Sequence, residues 1–431
     1  MKRHYKWAVV GMLWLICFFN YADRQAISSV MPKLQAEFGF SEEQQGWIFS
    51  GFKWVYAGSA LLAGYIADRL SRKQLILGGC LFWSAATGLT GWCGRLWQFV
   101  AVRAVEGLGE AFYFPASMSL ISDYHDKRTR SRAMSFHQSS VYFGAIGGSW
   151  FAAWLAEHYN WRWGFYFFGI MGILLAFALY AFLREPIRGA ADLAAITGKE
   201  PSSIAQVLPP ASLGVRETAR EILGKPTAIL LFAAFVCANS VAGIFLDWTP
   251  TFLGEKFGFK LAAAGLSAAL FINIASACSV PLGGLLADRW AGRFAGGRMA
   301  VQALGLLGGA AFIVLVGQTT SKTTLIVSMT VFGLGKGLYD ANIFASLYDT
   351  VHPRTRATAA GLMNTFGWGG SALGTVAFGY AVQYGPYGTK IENMSHAIAF
   401  GAIIYIVGAV LLLAAAYIIS TPQARSVPSP R

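Results

Sequence analysis

Three charged residues lie within an apolar stretch of the sequence, where charges are rare. Arg103, Glu106 and Glu110 fall inside the run from Leu96 to Ile121, which is long enough to cross a bilayer. Their i, i+3, i+7 spacing predicts that a helix carries all three on one face. A charge at the bilayer centre costs about 2.5–3.5 kcal/mol even on the mildest scale. We therefore expect these side chains to face a bundle interior or a water-filled cavity, and we interpret the stretch as the centre of a transport site.

Two arginines and their neighbouring acids are the first candidates for chemistry. Arg103 could bind a substrate carboxylate, because a guanidinium offers a planar fork of donors and stays charged in a dry site. The alternative is a permanent ion pair with Glu106 or Glu110. Asp23 and Arg24 are adjacent in the first apolar run, but neighbours on a helix point about 100° apart and need not pair. Asp23 could accept protons, or it could form a fixed ion pair that closes one gate.

Other polar residues inside apolar runs widen the candidate substrate site. Lys53 could contact an anion, pair with an acid or extend to the membrane surface, and Tyr56 could hydrogen-bond substrate hydroxyls. Lys336 could also contact an anion, although Asp340 follows at i+4 and favours mutual neutralisation. The candidate substrate-binding residues are Arg24, Lys53, Tyr56, Arg103, Gln138, Lys336, Asn364 and Trp368.

The composition is typical of a membrane protein. Hydrophobic residues make up 55% of the 431 residues and charged residues only 13%, about half of the charged fraction of a soluble domain. The net charge of +13 is better explained by basic loops on the cytoplasmic side of a membrane than by nucleic acid binding. The five cysteines show neither the spacing of a metal site nor that of a disulfide framework. The sequence also shows no phosphate-binding loop, metal cluster or nucleophile–base pair outside the apolar runs, and we therefore predict neither an enzyme nor a cofactor.

Apolar runs of about 20 residues recur along the whole chain and predict an all-α membrane protein with twelve transmembrane helices. Lysines and arginines number 23 on the side of the N-terminus and 7 on the opposite side, which predicts that both termini are cytoplasmic. The predicted spans are 7–31, 45–67, 75–94, 96–122, 131–156, 161–183, 226–252, 262–287, 298–317, 323–350, 355–384 and 394–419. The predicted domains are an N-terminal six-helix bundle (1–183), a cytoplasmic linker (184–225) and a C-terminal six-helix bundle with a short cytoplasmic tail (226–431).

The two sets of six helices repeat each other in sequence. The segment GYIADR at 64–69 matches GLLADR at 284–289, and the segment RTR recurs at 128–130 and 354–356. Asp23 and Asp247 also lie at nearly the same offset. Three matches at nearly one offset predict two similar six-helix bundles around a central pathway, an arrangement that supports alternating access.

The segment GYIADRLSRK at 64–73 resembles the signature of the loop between helices 2 and 3 in the major facilitator superfamily. The twelve-helix plan and the second copy of the segment agree with this resemblance over nearly the whole chain. It implies two six-helix bundles related by pseudo-two-fold symmetry. It also implies a cytoplasmic latch between helices that stabilises the outward-facing state. The residues that would form this latch are Asp68, Arg69, Arg72, Asp288, Arg289, Arg128 and Arg130.

Within the superfamily, the segments NYADR at 20–24, WVY at 54–56 and GEA at 109–111 resemble the anion:cation symporters, which include sugar-acid and phthalate permeases. In the sugar-acid symporters the acids matching Asp23 and Glu110 carry protons. The resemblance therefore implies proton-coupled symport of a small organic anion such as a hexonate or hexuronate. The superfamily resemblance further implies a monomer. The compact loops and the lack of a visible signal peptide predict a bacterial inner membrane. Some of these elements also resemble Spinster-type transporters, which leaves transport of a lysolipid or another amphiphile as the alternative.

Overall fold

The chain is built of α-helices. The computed structural model describes residues 4–67, 70–125, 129–186, 220–351 and 356–421, and within these ranges it contains fourteen α-helices of eight residues or more and no strand. The first half forms α1 (Tyr5–Phe38), α2 (Glu42–Ala67), α3 (Arg72–Thr90), α4 (Leu96–Ala111), α5 (Tyr113–Tyr124), α6 (Arg130–His158) and α7 (Arg162–Phe182). The second half forms α8 (Pro226–Phe257), α9 (Leu261–Ala291), α10 (Gly297–Gln318), α11 (Lys322–Asp340), α12 (Ile343–Thr350), α13 (Arg356–Tyr384) and α14 (Lys390–Ser420).

These helices account for the predicted membrane spans. Six described helices are long and apolar enough to cross a bilayer on their own, namely α1, α7, α8, α9, α10 and α14. The pairs α4 and α5, and α11 and α12, each occupy one predicted span. The fourteen described helices therefore correspond to the twelve predicted spans, and the predicted all-α fold is confirmed. Most of the predicted linker, residues 187–219, lies outside the described ranges.

The predicted fourth and tenth spans are each interrupted, where the sequence suggested continuous helices. The first break, at Phe112, precedes Pro115, which lacks the N–H that would bond to the carbonyl of Ala111 and clashes with it sterically. The second break contains no proline. There the Nδ2 group of Asn342 donates to the Leu338 carbonyl at 3.2 Å and to the Gly283 carbonyl at 3.1 Å. The side chain thus bonds a helix carbonyl that a continuing backbone would otherwise use.

Close packing contacts extend the sequence repeat into three dimensions. A Cβ atom on Gly107 in α4 would overlap the carbonyl of Phe52 in α2. A Cβ atom on Gly333 in α11 would lie 2.6 Å from the carbonyl of Ile272 in α9, the corresponding pair in the second half. The helices α1 and α8 also end in the same way, at glycines with φ of 68° and 65°, a left-handed conformation that favours glycine.

The helices divide into two compact units. Unit 1 comprises 1–40, 51–211 and 260–266, and unit 2 comprises 41–50, 212–259 and 267–431. In unit 1, α1 packs closely on α6, because Gly148 allows the backbone of α6 to approach the backbone of Ala22. The next residue in α1 is Asp23, so this close approach fixes the position of Asp23 in unit 1.

Candidate functional site

Five ionisable residues form a buried cluster in unit 1. Asp23 and Arg24 come from α1, and Arg103, Glu106 and Glu110 come from α4. None is more than 8% exposed. The structure thus places the three charged residues of the RAVEGLGE stretch together with the adjacent acid and arginine of the first span. We refer to these five residues as the charged cluster.

Arg24 is paired with Glu110. Its Nε atom donates to Glu110 Oε2 at 2.9 Å, and its Nη2 atom donates to the same oxygen. Nη2 also donates to Asn20 Oδ1 at 3.3 Å. The guanidinium carbon lies 4.4 Å, 4.6 Å and 5.4 Å from the ring centres of Tyr21, Phe52 and Tyr56, distances at which cation–π attraction operates. Tyr56, a predicted substrate contact, therefore belongs to this site.

Arg103 is paired with Glu106, one turn along the same helix. Its Nη1 atom lies 2.5 Å from Glu106 Oε2, and its Nη2 atom donates to the Arg24 carbonyl at 3.4 Å. The guanidinium carbon lies 5.0 Å from the Phe52 ring centre. The sequence left Glu106 and Glu110 as alternative partners of Arg103, and the structure selects Glu106 because Arg24 occupies Glu110.

Asp23 is the third acid of the cluster and pairs with neither arginine in the described contacts. Its Oδ2 atom accepts a hydrogen bond from Thr87 Oγ1 at 3.3 Å, and Thr87 also contacts Glu106 at 3.5 Å. One oxygen atom from each of Asp23, Glu106 and Glu110 lies within 4.8 Å of the others. With all groups ionised, three carboxylates and two guanidiniums leave one negative charge in excess. One proton or one monovalent cation would cancel that charge, whereas a divalent ion would overcompensate it.

The remaining candidates of unit 1 differ in their surroundings. Lys53 is 5% exposed, so its side chain is enclosed by protein rather than extended to the membrane surface. Gln138 is half-buried on α6. Sequence reasoning missed Thr87 and Phe52, because an isolated threonine or phenylalanine in an apolar run carries no signal of its own.

In unit 2, Lys336 and Asp340 form the ion pair that their i, i+4 spacing predicts. Both side chains retain partial exposure, 21% for Lys336 and 33% for Asp340. Asn364 and Trp368, the other candidates of this unit, are half-buried on α13. The candidates of unit 2 therefore come from two helices, α11 and α13.

Among the predicted latch residues, Arg72 is buried at the start of α3. Its Nε atom donates to Glu185 Oε1 at 2.7 Å, and its guanidinium pairs with Asp123. In unit 2, Arg298 occupies the corresponding position. Its Nε atom lies 3.1 Å from Oδ2 of Asp349, the counterpart of Asp123. Sequence reasoning missed these partners, although adding the repeat offset of 226 to Arg72 and Asp123 gives Arg298 and Asp349.

The other latch predictions fall on exposed or undescribed positions. Asp288 and Arg289 are both exposed. Oδ1 of Asp288 lies 2.7 Å from Nη2 of Arg298. Asp68, Arg69, Arg128 and the side chain of Arg130 lie outside the part of the chain that the structure describes.

Comparison with known proteins identifies the family. The profile of the Major Facilitator Superfamily matches residues 13–375 and 274–431. A probable chloroplastic anion transporter 4 of Oryza sativa subsp. japonica is 29% identical over 94% of this chain and 68% of its own length. A probable galactarate/D-glucarate transporter of Bacillus subtilis is 28% identical over 89% of this chain and 87% of its own. The crystal structure of a bacterial homologue of the human lysosomal transporter Spinster, inward-facing and unoccupied, superposes with a TM-score of 0.83 at 21% identity over all of both chains. Since the profile covers most of the sequence and the fold agrees, the chain belongs to the Major Facilitator Superfamily of membrane transporters.

Proposed function

We propose that the protein is a secondary active transporter that carries a small organic anion, a sugar acid, together with protons by alternating access. The observation that carries this proposal is the charged cluster. Two buried arginines are each held by a glutamate, and a third carboxylate, Asp23, adds a negative charge in excess. Fixed cations suit an anionic substrate, and adjacent carboxylates suit a coupled proton.

The arginine–glutamate pairs supply a mechanism for coupling. A substrate carboxylate that binds Arg24 must displace Glu110, since both compete for the same donors. The displaced carboxylate is then a buried anion without its cation, which is costly unless it takes up a proton. Anion binding and protonation of Glu110 thus favour each other. Protons that enter with the substrate also carry charge, and each net positive charge moving inward gains about 2.3 kcal/mol per 100 mV.

Polar groups near the arginines suit the hydroxyls of a sugar acid. The Nδ2 atom of Asn20 and the Oδ1 atom of Asp23 are buried and have no hydrogen-bond partner among the described residues. A hydroxyl can accept from the first and donate to the second. Tyr56 and Gln138 in unit 1 and Asn364 and Trp368 in unit 2 are further proposed contacts. The names of the rice and Bacillus relatives, an anion transporter and a galactarate/D-glucarate transporter, support this substrate class.

The remaining features of the proposal follow from the sequence. The distribution of lysine and arginine supports cytoplasmic termini. We propose a bacterial inner membrane as the location. Two six-helix bundles, 1–183 and 226–431, would alternate access to the substrate, with Arg72 and its partners forming part of a latch that affects rate rather than substrate choice. We propose that the protein acts as a monomer, and that Asp23 and Glu110 carry the protons.

An apolar cavity in unit 2 favours a second candidate function, transport of a lysolipid or a related amphiphile. The cavity has a volume of about 430 Å³, within the usual range of small-molecule sites. Its walls come mainly from α13 and α14, and its lining includes the exposed aromatic residues Tyr380, Tyr384, Tyr387 and Phe400. An acyl chain suits such a lining.

Ligand-induced thermal stabilisation of the purified protein separates the two candidates. The ligands are galactonate, gluconate, glucuronate, galactarate and lysophospholipids, each at two pH values, with a matched detergent as the control for the lipids. A ligand at 100 times its Kd adds about 2.7 kcal/mol of stability. Stabilisation by a sugar acid that is stronger at the lower pH supports the proposed function. Stabilisation by lysophospholipids alone, beyond the detergent control, would replace it with the second candidate.

A further inference from the structure

The charged cluster contains two arginine–glutamate pairs, and each arginine has a carboxylate partner of its own. Arg24 is paired with Glu110 across two helices, and Arg103 is paired with Glu106 within α4. A site for a substrate with one carboxylate needs only one such arginine. We infer that the site is built for a dicarboxylate, in which each carboxylate displaces one glutamate from one arginine. This inference rests on the proposed function and specifies its substrate class.

Neither ion pair contains the two parallel hydrogen bonds that a guanidinium and a carboxylate can form. The two donors of Arg24 converge on one oxygen of Glu110, and the other oxygen, Oε1, is buried without a hydrogen-bond partner among the described residues. The Nε atom of Arg103 is likewise buried without an acceptor in the described structure. A guanidinium binds a carboxylate best through two parallel hydrogen bonds to two oxygens. A substrate carboxylate that is free to orient can provide this arrangement, whereas the two glutamates do not.

The two arginines are close enough for one six-carbon dicarboxylate to contact both. Their guanidinium carbons lie 4.6 Å and 5.0 Å from the same Phe52 ring centre, so they are at most about 10 Å apart. An extended six-carbon chain with a carboxylate at each end is roughly 6 Å long, given C–C bonds of about 1.5 Å. With hydrogen bonds of about 2.8 Å at both ends, the reach of such a chain exceeds the largest possible separation of the two arginines, so the chain can contact both in a bent pose. A six-carbon aldarate can therefore reach both arginines, whereas an aldonate of the same length reaches only one with a carboxylate.

The number of glutamates that a substrate displaces should set the number of protons carried with it. A monocarboxylate displaces one glutamate, and a dicarboxylate displaces both Glu106 and Glu110. Because each displaced carboxylate is left buried without its arginine, each is expected to take up one proton. A dicarboxylate should therefore be carried with one more proton than a monocarboxylate of the same chain length.

The test compares glucarate with gluconate, which share a six-carbon chain and differ by one carboxylate. Binding to the full-length protein is measured by calorimetry, and protons per substrate are measured by flux in proteoliposomes. We expect wild type to bind glucarate about tenfold more tightly than gluconate, the equivalent of about 1.4 kcal/mol, and to carry it with one more proton. The double variant Arg103→Gln, Glu106→Gln removes the second pair without leaving a charge unpaired. In this variant the ratio of the two Kd values should fall to about one.

Two other outcomes are informative. If wild type binds and transports both acids with equal affinity and equal proton number, or if the double variant keeps the preference for glucarate, the dicarboxylate inference is wrong and the proposed function stands. If neither acid binds and no other sugar acid of the thermal-stabilisation panel stabilises the protein, the proposed function itself fails, and the inference fails with it.

Discussion

The close contact between α2 and α4 allows a sharp test of how the charged cluster is positioned. We predict that Gly107→Ala weakens both the fold and substrate binding. The new methyl group would lie less than 3.0 Å from the carbonyl of Phe52, and this carbonyl belongs to a helix backbone that cannot rotate away. The two helices must therefore separate, by up to about 1 Å. Phe52 moves with α2, and its ring packs against the guanidiniums of Arg24 and Arg103.

Two opposing effects set the size of the change. Replacing glycine by alanine inside a helix gains up to about 1 kcal/mol of helix stability. Overpacking a tight contact costs about 1–3 kcal/mol, and a clash with backbone lies at the upper end of that range. We therefore expect a net loss of about 2 kcal/mol. Binding should weaken by tenfold or more, since a displacement of about 1 Å in a positioned site can cost about 100-fold.

Thermal unfolding of the purified protein and the Kd for a sugar acid are the two measurements. Gly58→Ala, in α2, is the matched control, because nothing lies within 4 Å of a Cβ atom at that position. The control should be neutral or slightly stabilising. Wild-type stability and affinity in Gly107→Ala would refute the reasoning, since α2 and α4 would then not set the position of the arginines.

Three further predictions follow from the ion pairs. Arg103→Lys should weaken anion binding in titrations by tenfold or more although the charge is kept, because an ammonium cannot form the two parallel hydrogen bonds; an unchanged Kd would assign Arg103 to structure alone. Burial tends to raise the pKa of Glu185, but the Lys73 N–H and the Arg72 guanidinium bond to it and hold the pKa below its usual value. The ion pair of Glu185 therefore contributes fully to stability above the ordinary glutamate pKa, about 4.3. This contribution is lost as the pH falls through the lower pKa that Glu185 has in the folded state. The difference in Tm between wild type and Glu185→Gln should accordingly be constant above about pH 5 and shrink at lower pH; a difference that does not depend on pH would contradict this. Asp123→Asn should lower Tm more than Asp349→Asn does, because the partner of Asp123 is 2% exposed and the partner of Asp349 is 26% exposed; equal effects in thermal unfolding would contradict it.

Much of the charged cluster could be predicted from spacing, because helical periodicity is a local property. The i, i+3, i+7 pattern places Arg103, Glu106 and Glu110 on one face, and the cost of burying charge in a bilayer directs that face inward. The pairing could not be predicted, since Glu106 and Glu110 both lie at positions that Arg103 could reach. It depends on α1, which brings Arg24 to Glu110.

The fold was predictable wherever the sequence carried a local or repeated signal. The apolar runs gave the spans, and the break before Pro115 had a visible cause in the sequence. The break at Asn342 had none, because it depends on a hydrogen bond to Gly283 in another helix. Thr87 was missed for the same reason: its role arises from its neighbours in space, Asp23 and Glu106, and not from its neighbours in sequence.

The central claim, proton-coupled anion transport through the charged cluster, is tested most directly by flux through Glu110→Gln in proteoliposomes. Wild type should accumulate a sugar acid against its gradient when an inward proton gradient is imposed. Glu110→Gln should lose this accumulation but keep exchange of labelled for unlabelled substrate, because Arg24 remains available to the anion while the proton acceptor is gone. Accumulation by Glu110→Gln at the wild-type level under the same proton gradient would contradict the account.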